Sequence, residues 1–180
     1  ASCLDDNDIA GGVSIIGDVK PGQGAINTQS FWLAANQNNA SGRMDLGDSP
    51  QEIIDWLVLN DAGGDATVRQ YGIADLDSTG SPRAAAFTGA NCFDYKNHII
   101  GPYYAIQGNI LLGQGILDSM EVRFLQTQGT LAEKLMAALQ GANVPGADTR
   151  CAGEGVSSQS AFIRVAKPDD DPGDLHLDIV

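Results

Sequence analysis

The chain has 180 residues, of which 43% are hydrophobic, enough for one domain with a sizeable core. Its formal net charge of −13 excludes nucleic acid and anionic membrane surfaces as natural partners. No apolar run is long enough to span a bilayer, and the opening Ala1-Ser2-Cys3-Leu4 is no signal peptide; a mature secreted chain or a fragment would begin the same way.

Residues 1–24 are rich in Gly and Asp, with an apolar stretch at Val13–Ile16 and a turn signal at Pro21-Gly22-Gln23-Gly24. Ala25–Thr28 reads as the end of a strand. A helix is expected from about Ser30 to Leu46, with Phe31, Ala34, Ala35 and Met44 near its inner face. Ser49-Pro50-Gln51-Glu52 then combines a capping serine, a proline at the first helical position and a glutamate three residues after the cap. Ile53, Ile54, Leu57 and Val58 continue it as an apolar stripe.

Val68–Leu76 and Arg83–Thr88 read as strands of a hairpin turned by Asp77-Ser78-Thr79-Gly80-Ser81-Pro82. His98–Ile100 and Tyr103–Ile106 flank a Gly-Pro turn. Gly113–Gln126 has helical spacing of Ile116, Leu117, Met120 and Phe124. Thr130-Leu131-Ala132-Glu133 is a second capping box, opening a helix with Leu131, Leu135 and Leu139 that ends near Gly141. A Gly/Asp/Ser loop fills 142–158, and strands are expected at Ala161–Ala166 and Leu175–Val180. Helices in adjacent pairs between groups of strands suggest antiparallel sheets covered by helices, not a strict βαβ alternation.

Common catalytic signatures are absent: no G-x-S-x-G elbow, Walker loop, H-E-x-x-H or dinucleotide G-x-G-x-x-G. Of the two histidines, His176 reads as structural or solvated and His98 as a surface or hydrogen-bonded residue. Asp75-Leu76-Asp77-Ser78-Thr79-Gly80 copies the start of an EF-hand loop, but position twelve would be Ala86, so a hairpin turn is the better reading. The run Asp169, Asp170, Asp171 and Asp174 could hold a calcium ion, but such a run is more often a solvated loop between strands; no other cofactor is expected. The three cysteines form no C-x-x-C pair. One disulfide and one free thiol would suit an extracellular compartment, with Cys3–Cys151 the favoured pair.

Three polar clusters remain: Asn27-Thr28-Gln29-Ser30, Gln107-Gly108-Asn109, and Asp148-Thr149-Arg150 with Ser157-Ser158-Gln159-Ser160. Backbone N–H groups and Asn or Gln amides can serve as oxyanion donors. The same residues can simply cap helices and satisfy turns.

These clusters occur in an order that resembles the DUF1028 family of the Ntn-hydrolase superfamily, which includes the proteasome β-subunits. The matching stretches are Gly24–Gln29, Arg69–Ile73, Ala84–Gly89, Tyr104–Gly113, Gly146–Arg150 and Gln159–Ala161. The Asp94–His98 variant and the extra cysteines look like secreted Bacteroidetes-type members. The resemblance implies an α+β protein with an αββα sandwich, two antiparallel sheets between helix layers. It implies amide or peptide bond hydrolysis by a terminal Thr, Ser or Cys whose own α-amine is the general base. Ala1 cannot be that nucleophile, and the family's first strand would precede the segment matching Ala1–Cys3. By the same resemblance Thr28, Gln29, Gln107, Gly108 and Asn109 would line the cleft, Asp148 and Ser160 would support it, and Ser2 ends the second strand. The resemblance thus implies a secreted or periplasmic hydrolase. The alternative is a non-catalytic extracellular module, either a homo-oligomer or one whose open strand edge is covered by a partner segment.

Overall fold

The computed structural model describes residues 1–4, 7, 8, 10 and 12–180. After a short 3-10 helix at Gly12–Ile16 come β1 (Gly17–Lys20), β2 (Gly24–Gln29), α1 (Ala34–Asp45), α2 (Pro50–Leu59), β3 (Gln70–Leu76) and β4 (Pro82–Thr88). The remaining elements are β5 (Asn97–Ile100), β6 (Ala105–Gly108), α3 (Gln114–Gln126), α4 (Leu131–Gly141), β7 (Ile163–Val165) and β8 (Leu177–Ile179). The strands form one four-stranded sheet, ordered β1-β2-β3-β4, and two pairs, β5-β6 and β7-β8. This is a mixed α+β architecture with antiparallel pairing in the four-stranded sheet and in β7-β8.

The chain folds as two compact units built from interleaved segments. The first comprises Ala1–Ile15, Phe93–Asn97 and Gly108–Val180; the second comprises Ile16–Cys92 and His98–Gln107.

The second unit contains the four-stranded sheet. Alternation along β2, β3 and β4 sends Ile26, Tyr71, Ile73 and Ala85 to one face, where they pack with Ala40, Met44, Ile53, Ile54 and Leu57 of α1 and α2. Each fully buried Ile or Leu in that layer contributes roughly 1.5–3 kcal/mol. Helix α2 begins where the sequence places it: the Ser49 hydroxyl accepts from Glu52 N–H, and Glu52 accepts from Ser49 N–H at 2.8 Å. Asp77 closes the β3–β4 hairpin by accepting from the N–H groups of Thr79 and Ser81 at 2.8 and 2.9 Å.

Helix α1 departs from expectation. It starts at Ala34, not Ser30, because Ser30 and Phe31 adopt left-handed backbone with φ of 61° and 49°. Its buried positions are Asn36, Ala40 and Met44, one helical turn apart. Of the four residues expected inside, only Met44 is buried; Ala34 and Ala35 are exposed and Phe31 is 55% exposed. The polar Asn36 takes the inner stripe because it finds hydrogen-bond partners there in Asp61 and Tyr71.

On the opposite face of the sheet lies the hairpin β5–β6, whose turn is closed by the Gly101 N–H donating to Tyr104 O at 2.9 Å. One side chain from each of its strands meets the sheet. His98 Nδ1 is 2.9 Å from Thr88 Oγ1 on β4, and the Gln107 carboxamide lies over Gly72 on β3. The second unit is therefore layered as helices, four-stranded sheet, hairpin.

In the first unit α3 and α4 pack side by side. A Cβ at Gly141 would stand 2.7 Å from Ser119 O, so the glycine sets their close approach. Thr130 and Glu133 form the second reciprocal cap at the start of α4, as expected. Ile116, Leu117, Phe124 and Ala138 are buried, and β7 pairs with β8 through Ile163–Ile179, Arg164–Asp178 and Val165–Leu177.

Candidate functional site

The residues expected to share one cleft fall into two groups, one in each unit. Ser2, Gly108, Asn109, Asp148 and Ser160 belong to the first unit, and Thr28, Gln29 and Gln107 to the second.

In the first group, Ser2 and Ser160 form an antiparallel bridge, with Ser2 N–H donating to Ser160 O at 2.9 Å and Ser160 N–H to Ser2 O at 3.0 Å. The Ser160 hydroxyl donates to Leu4 O. Asp148 caps the 3-10 helix Thr149–Glu154 and accepts from Cys3 N–H at 3.0 Å and from Arg150 Nε and Nη2 at 2.9 and 2.6 Å. Arg150 Nη2 also donates to Ser2 Oγ at 3.1 Å. Burial alone would raise the Asp148 pKa, but the Arg150 and Cys3 donors outweigh it and hold the carboxylate below its ordinary value. Beside Asp148, Cys151 is disulfide-bonded to Cys3 with Cα atoms 5.7 Å apart. This cluster fastens residues 1–4 to the 148–160 segment, and both Ser2 and Asp148 are spent in doing so.

Asn109 precedes Ile110, a β-branched residue with φ of 59°, a strained conformation. Ile110 is held by its N–H to Phe93 O at 3.1 Å and by its carbonyl, which accepts from Thr149 N–H and Oγ1 at 2.9 and 3.1 Å. Gly108 lies beneath Leu111, where a Cβ would stand 2.7 Å from a Leu111 methyl.

In the second group Thr28 and Gln29 face opposite ways. Thr28, 1% exposed, points into the helix layer and donates to Gln37 Oε1 at 3.1 Å. Gln29 points to the hairpin side and donates from Nε2 to Gln70 Oε1 at 2.6 Å. Gln70 Nε2 donates to Thr88 Oγ1 at 2.9 Å, and Thr88 meets His98. Burial pushes the His98 imidazole below its ordinary pKa, so it stands neutral at pH 7.

Sequence reasoning overlooked a buried network beneath α1. Arg69 and Asp61 form an ion pair at 2.8 Å with both side chains nearly fully buried. Asn36 Nδ2 donates to Asp61 at 2.6 Å and to Tyr71 Oη at 3.0 Å, and its Oδ1 accepts from Ala62 N–H at 2.9 Å. Arg69 also donates to Phe31 O, clamping the left-handed step after β2. The Arg69 hydrogen bonds, joined by Asn36 and two backbone N–H groups, overcome burial and hold the Asp61 carboxyl far below the ordinary range.

In the C-terminal acidic run, Asp170 accepts from the N–H groups of Lys167 and His176 at 2.7 Å each, and Asp171 from Gly173 N–H at 2.8 Å. These carboxylates shape their own loop. Among the described residues the one cluster with metal-ligand spacing is Cys3, Cys151 and Glu154, whose two sulfurs are joined to each other. No helix among the described residues is long and apolar enough to cross a membrane.

Fold and site together define an α+β protein of antiparallel sheets and paired helices. The chain belongs to the family of unknown function DUF1028, whose model matches residues 10–179. Its fold is similar to the crystal structure of protein SPO2555 from Silicibacter pomeroyi, described as DUF1028, with a TM-score of 0.62 and 22% identity. That match covers 72% of this chain and 57% of the other, so the chain spans little more than half its neighbour's length. No curated protein matches the chain.

Proposed function

We propose that this is an Ntn-hydrolase-like domain that cleaves amide bonds in an oxidising compartment, extracellular or periplasmic. The observation that carries this reading is the layering of the second unit, a helix pair on one face of an antiparallel sheet and a second β layer on the other. An αββα sandwich needs those layers in that order. The Cys3–Cys151 disulfide supports the compartment.

In such a mechanism the terminal hydroxyl or thiol adds to the amide carbonyl while the α-amine takes its proton. The tetrahedral oxyanion is met by neutral donors, a role suited to the Gly108 N–H and the Asn109 carboxamide. Collapse expels the amine, which leaves with the proton, and water then releases the acyl group. No residue from Ala1 to Val180 is assigned as nucleophile.

The test uses mature protein from its native host. Its terminal residue is identified by mass spectrometry, and it is assayed against peptide and carboxamide libraries with electrophilic probes. A labelled terminal Thr, Ser or Cys whose alanine variant loses turnover is the expected result. Amide hydrolysis from a chain with a non-nucleophilic terminus, or neither labelling nor hydrolysis, would sink the reading.

A second reading keeps the fold without the chemistry, as a self-assembling or binding module. It is favoured by exposed apolar side chains on α3 and α4, among them Val122, Leu125, Leu131 and Met136. Sedimentation of a stable oligomer together with silence toward nucleophile probes would favour it over hydrolysis.

A further inference from the structure

The two edges of the four-stranded sheet are built differently. β1 is four residues long and ends on Lys20, and a short edge with a lysine discourages pairing with another chain. β4 is seven residues long and runs in unbroken register with β3 from Pro82 to Thr88. Its proline stands at the first position. Its one charge, Arg83, is committed to Asp75 through Nε and Nη2 at 2.9 and 2.6 Å.

Register decides which backbone groups of β4 face outward. Gly89 N–H donates to Arg69 O at 2.8 Å and so extends the β3–β4 ladder, whereas Leu76 N–H turns to β2, donating to Gln23 O at 2.9 Å. Antiparallel pairs exchange bonds at every second residue, so Arg83, Ala85 and Phe87 bond to β3. The N–H groups of Ala84, Ala86 and Thr88 point away from the sheet, as do the carbonyls of Pro82, Ala84, Ala86 and Thr88. Among the described residues none of these groups has a backbone partner. Ala84 and Ala86 are half-buried and small, which leaves room for a strand alongside.

The two ends of this edge differ in charge. At the Pro82 end the carboxylates of Asp75, Asp77 and Glu52 act on the single guanidinium of Arg83. Arg43, the other cation near Glu52, is held by Asp48. The balance there is negative. At the other end Thr88 closes the amide row of Gln29 and Gln70, and its neighbour His98 is neutral at pH 7.

A second copy of β4 does not fit this edge. Helix α2 packs on β4, and antiparallel pairing of two such edges leaves both copies of α2 on one face. Their axes would stand about as far apart as the strands, about 5 Å, where packed helices need about 8–10 Å. A bare strand brings no helix to collide.

We infer that the outer edge of β4 takes up an extended cationic segment of a partner protein as an added antiparallel strand. The segment's backbone bonds to Ala84, Ala86 and Thr88, and its β-branched side chains lie beside the alanines. A lysine or arginine overhangs the Pro82 end, near Asp77 and Glu52. This role needs no nucleophile and goes beyond both readings of function given above.

The experiment is a nuclear magnetic resonance titration of the 15N-labelled full chain with the peptide acetyl-Thr-Val-Thr-Val-Thr-Lys-Lys amide, followed by hydrogen exchange. The amides of Ala84, Ala86 and Thr88 should gain protection, while those of Arg83, Ala85 and Phe87, already bonded to β3, should change little. Of two peptides N-methylated at alternate residues in opposite phase, one should bind at least about tenfold more weakly, as should a peptide with glutamates in place of the lysines. Ala86→Pro removes an outward N–H that β3 does not use, so it should fold and weaken binding about tenfold. The N-methylated peptides test the same bonds on the unaltered chain. No shift, protection of the other set, or equal binding of all four peptides would overturn the site. Protection of Ala84, Ala86 and Thr88 that rises with protein concentration alone would overturn it in favour of a second copy. Cleavage of the peptide, read by mass spectrometry, would overturn docking in favour of a substrate site. An intact bound peptide leaves the docking edge standing whether or not a terminal nucleophile is labelled.

Discussion

The carboxamide of Gln107 occupies the space that a Cβ on Gly72 would need: that Cβ would stand 2.0 Å from Gln107 Oε1. The obstacle is the far end of a flexible side chain, so Gly72→Ala should displace Gln107 and leave the sheet intact, at a cost of about 1 kcal/mol. Gly89 offers the contrast. A Cβ there would stand 2.1 Å from the backbone carbonyl oxygen of Thr67, which cannot swing away. Gly89→Ala should cost more, about 3 kcal/mol. Urea unfolding of the two variants checks the order, and equal losses would contradict it.

The Arg69–Asp61 pair should behave as a buried ion pair. Asp61→Ala leaves the guanidinium buried without its partner and should cost about 3–5 kcal/mol, whereas the double variant Asp61→Leu with Arg69→Met should recover much of that loss. Acid should act on the same pair. The folded pKa of Asp61 is depressed, so its contribution is present above the ordinary carboxylate value and lost as pH falls below it. Asp61→Asn should flatten the acid limb of the stability curve, measured by urea midpoint between pH 5 and pH 2.

Local chemistry made much of the fold legible. The Ser49–Glu52 and Thr130–Glu133 caps, Asp77 in its turn and the apolar stripe of α2 each draw on neighbours within a few residues. The start of α1 escaped because nothing in Ser30-Phe31 announces left-handed backbone; it is imposed by Arg69, 38 residues from Phe31. Asn36 was passed over because its burial depends on Asp61 and Tyr71, which are distant in sequence. The amide row is likewise a product of strand register. Gln29, Gln70 and Thr88 belong to three separated motifs, and only the pairing of β2, β3 and β4 aligns them. The expected cleft residues were grouped by motif order, which does not reveal that Thr28 and Gln29 serve opposite faces.

His98 supplies a pH dependence nearer neutrality. Burial lowers its folded pKa below the unfolded value of 6.5, so the unfolded chain takes up a proton first as pH falls. Stability should be full above about pH 6.5 and decline as pH drops toward the folded pKa. His98→Gln should remove that part of the slope between pH 7 and pH 5 and leave the Asp61 limb in place. A slope unchanged by the substitution would show that His98 does not titrate as its burial requires.

The cysteines make the last prediction, because their environments separate them. Cys3 and Cys151 close a loop spanning 148 residues, and such a crosslink removes unfolded-chain entropy worth up to about 5 kcal/mol. Dithiothreitol, or Cys3→Ser with Cys151→Ser, should lower Tm. The larger loss of hydrogen-exchange protection should fall on residues 1–4 and 148–160, which the disulfide, Asp148 and the Ser2–Ser160 bridge hold together. Cys92 is buried and its thiol donates to Arg69 O at 3.2 Å. A thiol reagent should therefore titrate no cysteine in the native protein, one in denaturant and three after reduction. Native labelling of Cys92 would place its thiol outside the buried setting, and three thiols in denaturant without reductant would mean that the crosslink does not form.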